Sequence, residues 1–113
     1  MPEKEYAKIK KAVQDAGFFT TFHPDDGGEW IVLMSHCTEG RLHGNSIRAS
    51  FKRGRWFLFT WAPTFYRLDG DRDIAHVCLD CLRSTQSILG AIPPEIVDCY
   101  KLVRVSQAEY DEA

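Results

Sequence analysis

The chain has 113 residues, 44% hydrophobic and 27% charged, the balance of one ordinary globular domain that needs no metal or disulfide staple and is neither disordered nor fibrous. A formal net charge of -2 and a pI near 6.0 argue against general phosphate binding, because nonspecific nucleic-acid affinity rests on surplus Lys and Arg. No apolar run is long enough to span a bilayer, and the charged stretch Pro2 to Lys11 lacks a signal-peptide core, so no membrane association and a cytoplasmic location are expected.

Glu3 to Ala16 reads as an amphipathic helix, with Tyr6, Ile9, Val13 and Ala16 on one face, acidic residues in its first turn and Gly17 at its end. Phe18 to Phe22 reads as a first strand closed by His23 to Gly28, where Asp25 and Asp26 beside Gly27-Gly28 make a turn. Trp30 to Met34 is an unbroken apolar run, the pattern of a central strand covered on both faces. His36 to Gly44 reads as a long loop of the kind that often carries function.

The segment Ile47 to Trp61 is the most structured signal. A two-residue turn at Arg53-Gly54 pairs Lys52 with Arg55, Phe51 with Trp56, Ser50 with Phe57, Ala49 with Leu58, Arg48 with Phe59 and Ser46 with Trp61. Period two then separates an inner apolar face, Ile47, Ala49, Phe51, Trp56 and Leu58, from an outer face of Ser46, Arg48, Ser50, Phe57, Phe59 and Trp61. The bland reading of the outer aromatics is burial under the second helix or a loop; the alternative is an exposed binding surface.

After Pro63, Thr64 to Leu68 reads as a short edge strand. Asp71 caps a second helix running to about Arg83, with Ile74, Cys78, Cys81 and Leu82 along one side. Pro93-Pro94 opens a short third helix, Glu95 to Leu102, and Val103 to Val105 forms a last short strand. Ser106 and Glu109 fit a capping box, but the acidic tail 106–113 is expected to fray. The strands come as one run between helices, so the expected fold class is α+β: residues 1–113 form a single domain with an antiparallel sheet of four to five strands and helices at both ends of the strand run.

Four cysteines, Cys37, Cys78, Cys81 and Cys99, are expected to be reduced thiols. Cys78-x-x-Cys81, with His76 and the His36-Cys37 pair as further donors, is the one metal-like spacing, but both cysteines fall on the apolar side of a helical pattern, where a thiol packs as a small hydrophobe. Cys37 with His36, His43 or His23 lacks a nucleophile motif, and His43 to Ser46 carries no phosphate-binding fingerprint. The order of helix, strands and helix is similar to that of the double-stranded RNA-binding module, whose basic helix start is replaced here by Asp69, Asp71 and Asp73.

The residues therefore point to a non-enzymatic interaction domain with no catalytic, cofactor-binding or metal residues. It binds a protein partner, or itself, through Arg48, Phe57, Phe59 and Trp61, with Arg55 and Arg67 as rim charges, because Arg and Trp combine contact area with directional bonding. The alternatives are single-stranded nucleic acid on the same face, where Arg48, Lys52, Arg53 and Arg55 surround the aromatics, and a small zinc protein built on Cys78 and Cys81.

Overall fold

A computed structural model describes residues 3–26, 29–35, 47–60, 64–84 and 92–111. The chain runs α1 (Glu3–Asp15), β1 (Phe19–Asp26), β2 (Glu29–Ser35), β3 (Ile47–Lys52), β4 (Arg55–Thr60), β5 (Thr64–Leu68), α2 (Ile74–Ser84), α3 (Pro94–Tyr100), β6 (Leu102–Val105) and α4 (Gln107–Asp111). Every strand pairs antiparallel with its neighbours in the order β1-β2-β3-β4-β5-β6. The protein is thus the expected single α+β domain with helices at both ends of the strand run, and among the described residues its sheet extends to six strands.

The hairpin turn sets the register. Arg53 (φ 49°) and Gly54 (φ 81°) both lie in the left-handed region, as a two-residue turn matched to the right-handed twist of its strands requires. Lys52 pairs with Arg55, Phe51 with Trp56, Ser50 with Phe57, Ala49 with Leu58 and Arg48 with Phe59, as expected; Ser46 and Trp61 lie outside the described residues. The inner face, with Ile47, Ala49, Trp56 and Leu58 buried, joins Ile9 and Val13 of α1 and Ile74, Val77, Cys78, Cys81 and Leu82 of α2 in the main core. Trp56 Nε1 donates to Glu5 Oε2 at 2.9 Å, so the first turn of α1 is tied to the hairpin by the polar tip of a buried aromatic.

The helix ends follow from local chemistry. At the close of α1, Gly17 takes φ 87° while its N–H bonds to Gln14 O at 3.0 Å and that of Phe18 to Val13 O at 3.1 Å, satisfying carbonyls the helix leaves over. Lys101, at φ 55° and ψ 49°, does the same for α3, so that helix stops at Tyr100 rather than reaching Leu102. Tyr100 OH donates to Asp80 of α2; accepting this proton-holding bond, Asp80 pushes the phenol up to about 12 and links α3 to α2.

Several expectations are corrected. β1 continues through His23 and Pro24 to Asp26, with a register irregularity between His23 and Asp26, which is how a strand at the edge of a sheet tolerates a proline. β5 is internal, flanked by β4 and β6, because the chain returns through α2 and α3 to add β6 outside it. α2 starts at Ile74, with the Val77 N–H bonded to Asp73 O, so Asp71 lies outside it. Within the tail 106–113, residues 107–111 form α4, whose Tyr110 is only 4% exposed, and residues 112 and 113 lie outside the described residues. The loop His36 to Gly44 lies outside the described residues.

Candidate functional site

The register that buries one face of the hairpin puts Arg48, Ser50 and Lys52 of β3 beside Arg55, Phe57 and Phe59 of β4 on the other. β5 adds Phe65, opposite Phe59, and Arg67, opposite Phe57; β6 adds Val105 and Val103 opposite these two. Five of the six residues expected to form a contact surface, Arg48, Arg55, Phe57, Phe59 and Arg67, therefore meet on one face, and Trp61 lies outside the described residues.

That face is not open at its centre. α4 lies across it and forms a second, smaller core from Phe57, Phe65, Val105 and Tyr110, with Phe59 packed against its margin. The Tyr110 ring stands edge-on to Phe57 (centroids 5.6 Å apart) and tilted on Phe65 (4.9 Å), and Phe59 in turn lies 4.9 Å from Phe65. Phe57 is 2% exposed, so it is the floor of the site and makes no outside contact while α4 is docked. The cover is α4, not the second helix, which packs on the opposite face.

Tyr110 is held at every polar atom it offers. Its hydroxyl hydrogen-bonds Ser50 Oγ at 2.8 Å, and its carbonyl accepts from Lys52 Nζ at 2.7 Å, with that ammonium 3.9 Å from the ring centroid. Ser50 and Lys52 are themselves buried, and these bonds are the compensation that a buried hydroxyl and ammonium need. An aromatic pair adds about 0.5–1.5 kcal/mol beyond burial, whereas exposed ion pairs contribute little, so the ring decides where α4 sits.

The rim is charged. Arg67 holds both oxygens of Asp69, with Nε to Oδ1 at 2.7 Å and Nη2 to Oδ2 at 2.9 Å, and its Nη1 reaches Glu109 Oε2 of α4 at 2.9 Å. Arg55 Nη1 bonds the same Asp69 at 2.8 Å, and Arg53 donates to the Glu109 carbonyl at 3.3 Å. The hydrogen bond from Arg67, assisted by Arg55, holds the Asp69 carboxyl below the usual carboxylate range. Lys52, Arg53, Arg55, Phe57, Arg67 and Glu109 surround a hollow of about 280 Å³.

On the other flank, the Arg48 guanidinium lies over Phe59, 4.7 Å from the centroid, and 5.7 Å from that of Tyr110. Its Nε is buried with no hydrogen-bond partner among the described residues. A desolvated guanidinium N–H without an acceptor is uncommon, because an unmade bond there forfeits hydration.

Comparison with known proteins names no relative. No family model, curated protein or solved structure matches the chain.

The cysteine pair falls in the main core. Burial drives the Cys78 thiol well above its ordinary range and Cys81 up to about 12, the reverse of what a nucleophile or metal-ligating thiolate needs. His76 projects from α2 to pack edge-on against Tyr100, 5.8 Å between centroids, and Cys99 is exposed. Among the described residues no group of three or more His, Cys, Asp or Glu side chains is placed to hold a metal ion, and Cys37, His36 and His43 lie outside them. No described helix is long and apolar enough to cross a membrane.

Tyr110, Phe65 and Val105 are the residues that sequence reasoning missed. Phe65 and Val105 were reachable through period two once β5 is flanked on both sides. For Tyr110 the signal was the capping box: Ser106 Oγ does accept the Glu109 N–H at 3.0 Å, starting the helix that carries the tyrosine onto the sheet.

Proposed function

We propose that this protein is a non-enzymatic, cytoplasmic interaction domain that binds a protein partner at the outer face of its hairpin. Arg48 and Phe59 form the centre of the contact, Arg55 and Arg67 its charged rim, and Trp61 extends the alternation of Phe57 and Phe59. The observation that carries this reading is the Arg48 guanidinium, stacked on half-buried Phe59 with its Nε lacking a partner among the described residues. A partner that covers the half-buried Arg48 meets a guanidinium already held over the Phe59 and Tyr110 rings, and this preorganisation is how Arg becomes an interface anchor.

A protein partner is favoured over single-stranded nucleic acid because Asp69 and Glu109 already sit in the guanidinium forks of Arg55 and Arg67. A phosphate backbone would have to displace both carboxylates. The test is affinity capture from source-cell extract with the wild-type chain and an Arg48→Ala/Phe59→Ala double variant, both checked for folding by circular dichroism. Loss of a specific captured protein with the folded double variant is the expected result; undiminished capture would remove the hairpin face as the contact.

A further inference from the structure

We propose that the groove under α4 is a peptide site for segments in which a carboxylate residue directly precedes an aromatic one, and that the Glu109-Tyr110 pair is its built-in competitor. The proposal rests on the reading of the outer face as a partner-binding surface and specifies the chemistry of what it takes.

The groove already displays its preference. One residue of α4 places a carboxylate on Arg67, and the next places an aromatic ring between Phe57 and Phe65, its hydroxyl on Ser50 and its carbonyl on Lys52. The carboxylate, ring and carbonyl contacts read features that any acidic-aromatic segment carries, the Ser50 contact adds a preference for tyrosine, and the Arg67 position that Glu109 fills suits one partner carboxylate. None of them reads anything peculiar to this chain.

The resident segment is also built to leave. α4 has five residues, well short of the roughly 12–15 that an isolated helix needs to hold itself together. Gln107, Ala108, Glu109 and Asp111 are exposed, so a single side chain, Tyr110, ties it to the sheet by burial. Its ion pair to Arg67 has a Glu109 side chain 46% exposed, where screening limits the attraction to a several-fold effect on binding. When α4 lifts, Phe57, Phe65 and Val105 lose their cover and Lys52 its bond to the Tyr110 carbonyl, which leaves an apolar floor with a cation beside it. A partner segment that supplies the same groups over a longer contact outcompetes a tethered pair whose advantage is only its effective concentration.

The experiment measures binding of a fluorescent peptide with the sequence of residues 107–111 to the 113-residue chain by anisotropy. Tyr110→Ala empties the groove, so this variant is expected to bind the peptide about tenfold or more tightly than wild type, as removal of a tethered competitor requires. A peptide with its tyrosine replaced by alanine is expected not to bind, and one with its glutamate replaced by glutamine to bind several-fold more weakly. Glu109→Gln, which loosens α4 from the solvent side, gives an intermediate gain and decides the matter if Tyr110→Ala fails to fold. Equal binding by wild type and both variants, or none by any, would overturn the proposal, as would a wild-type dimer that Tyr110→Ala converts to monomer, since a second copy's α4 would then be the occupant. If affinity capture depends on Arg48 and Phe59 while the peptide fails, only the acidic-aromatic specificity falls; if both fail, the partner-binding reading falls with it.

Discussion

Tyr110 does more for the outer face than any other single side chain, because it closes an apolar core and satisfies two buried polar groups together. Tyr110→Phe keeps the ring and the Lys52 contact but leaves Ser50 without its 2.8 Å partner, and urea denaturation is expected to show a loss of about 1–3 kcal/mol, the usual penalty for stranding a buried hydroxyl. An unchanged midpoint would mean that the hydroxyl contributes nothing. The cysteines separate by the same logic of burial. Cys78 and Cys81 are enclosed and their thiols shifted upward, with Cys81 at about 12, while Cys99 faces solvent. Iodoacetamide at pH 8 is expected to label Cys99 and to reach Cys78 and Cys81 only after denaturant is added, as read by peptide mass spectrometry.

Among the elements, the β3-β4 hairpin was legible from sequence because its turn and its period-two pattern agree, and each reinforces one register. Arg53 is a reluctant left-handed residue and Gly54 a necessary one. A Cβ on Gly54 meets nothing within 4 Å, so Gly54→Ala tests conformation alone: about 1–2 kcal/mol of lost stability is expected by denaturation, whereas Arg53→Asn should be neutral or stabilising. The inner face followed from the same pattern, since Ile47, Ala49 and Leu58 alternate with polar or mixed positions and end fully buried. The cover of the outer face was not legible. Alternation shows that Phe57 and Phe59 share a side but not what lies over them, and α4 is a five-residue helix whose stability comes from tertiary contact rather than local propensity. β5 was misread as an edge for a related reason: β6 is added after two intervening helices, and nothing local to Thr64–Leu68 announces that return.

At the scale of the molecule, the sheet carries two cores of unequal weight. α1 and α2 cover one face with many fully buried side chains, while the other bears a small aromatic cluster closed by the last helix. Such a layout lets the proposed site open locally if the large core alone maintains the fold. The candidate site follows from that asymmetry: Arg48 and Phe59 at the margin of the small core, Arg55 and Arg67 at its rim, and α4 across its floor. Native-state hydrogen exchange tests that local opening directly. The amide of Tyr110, bonded to Ser106 O, is expected to exchange through a local opening at least about a hundredfold faster than the amides of Phe57 to Phe59 in the middle of the sheet, which should exchange only on global unfolding. Equal protection at Tyr110 and in β4 would show that α4 opens only when the whole domain unfolds, and would contradict the account.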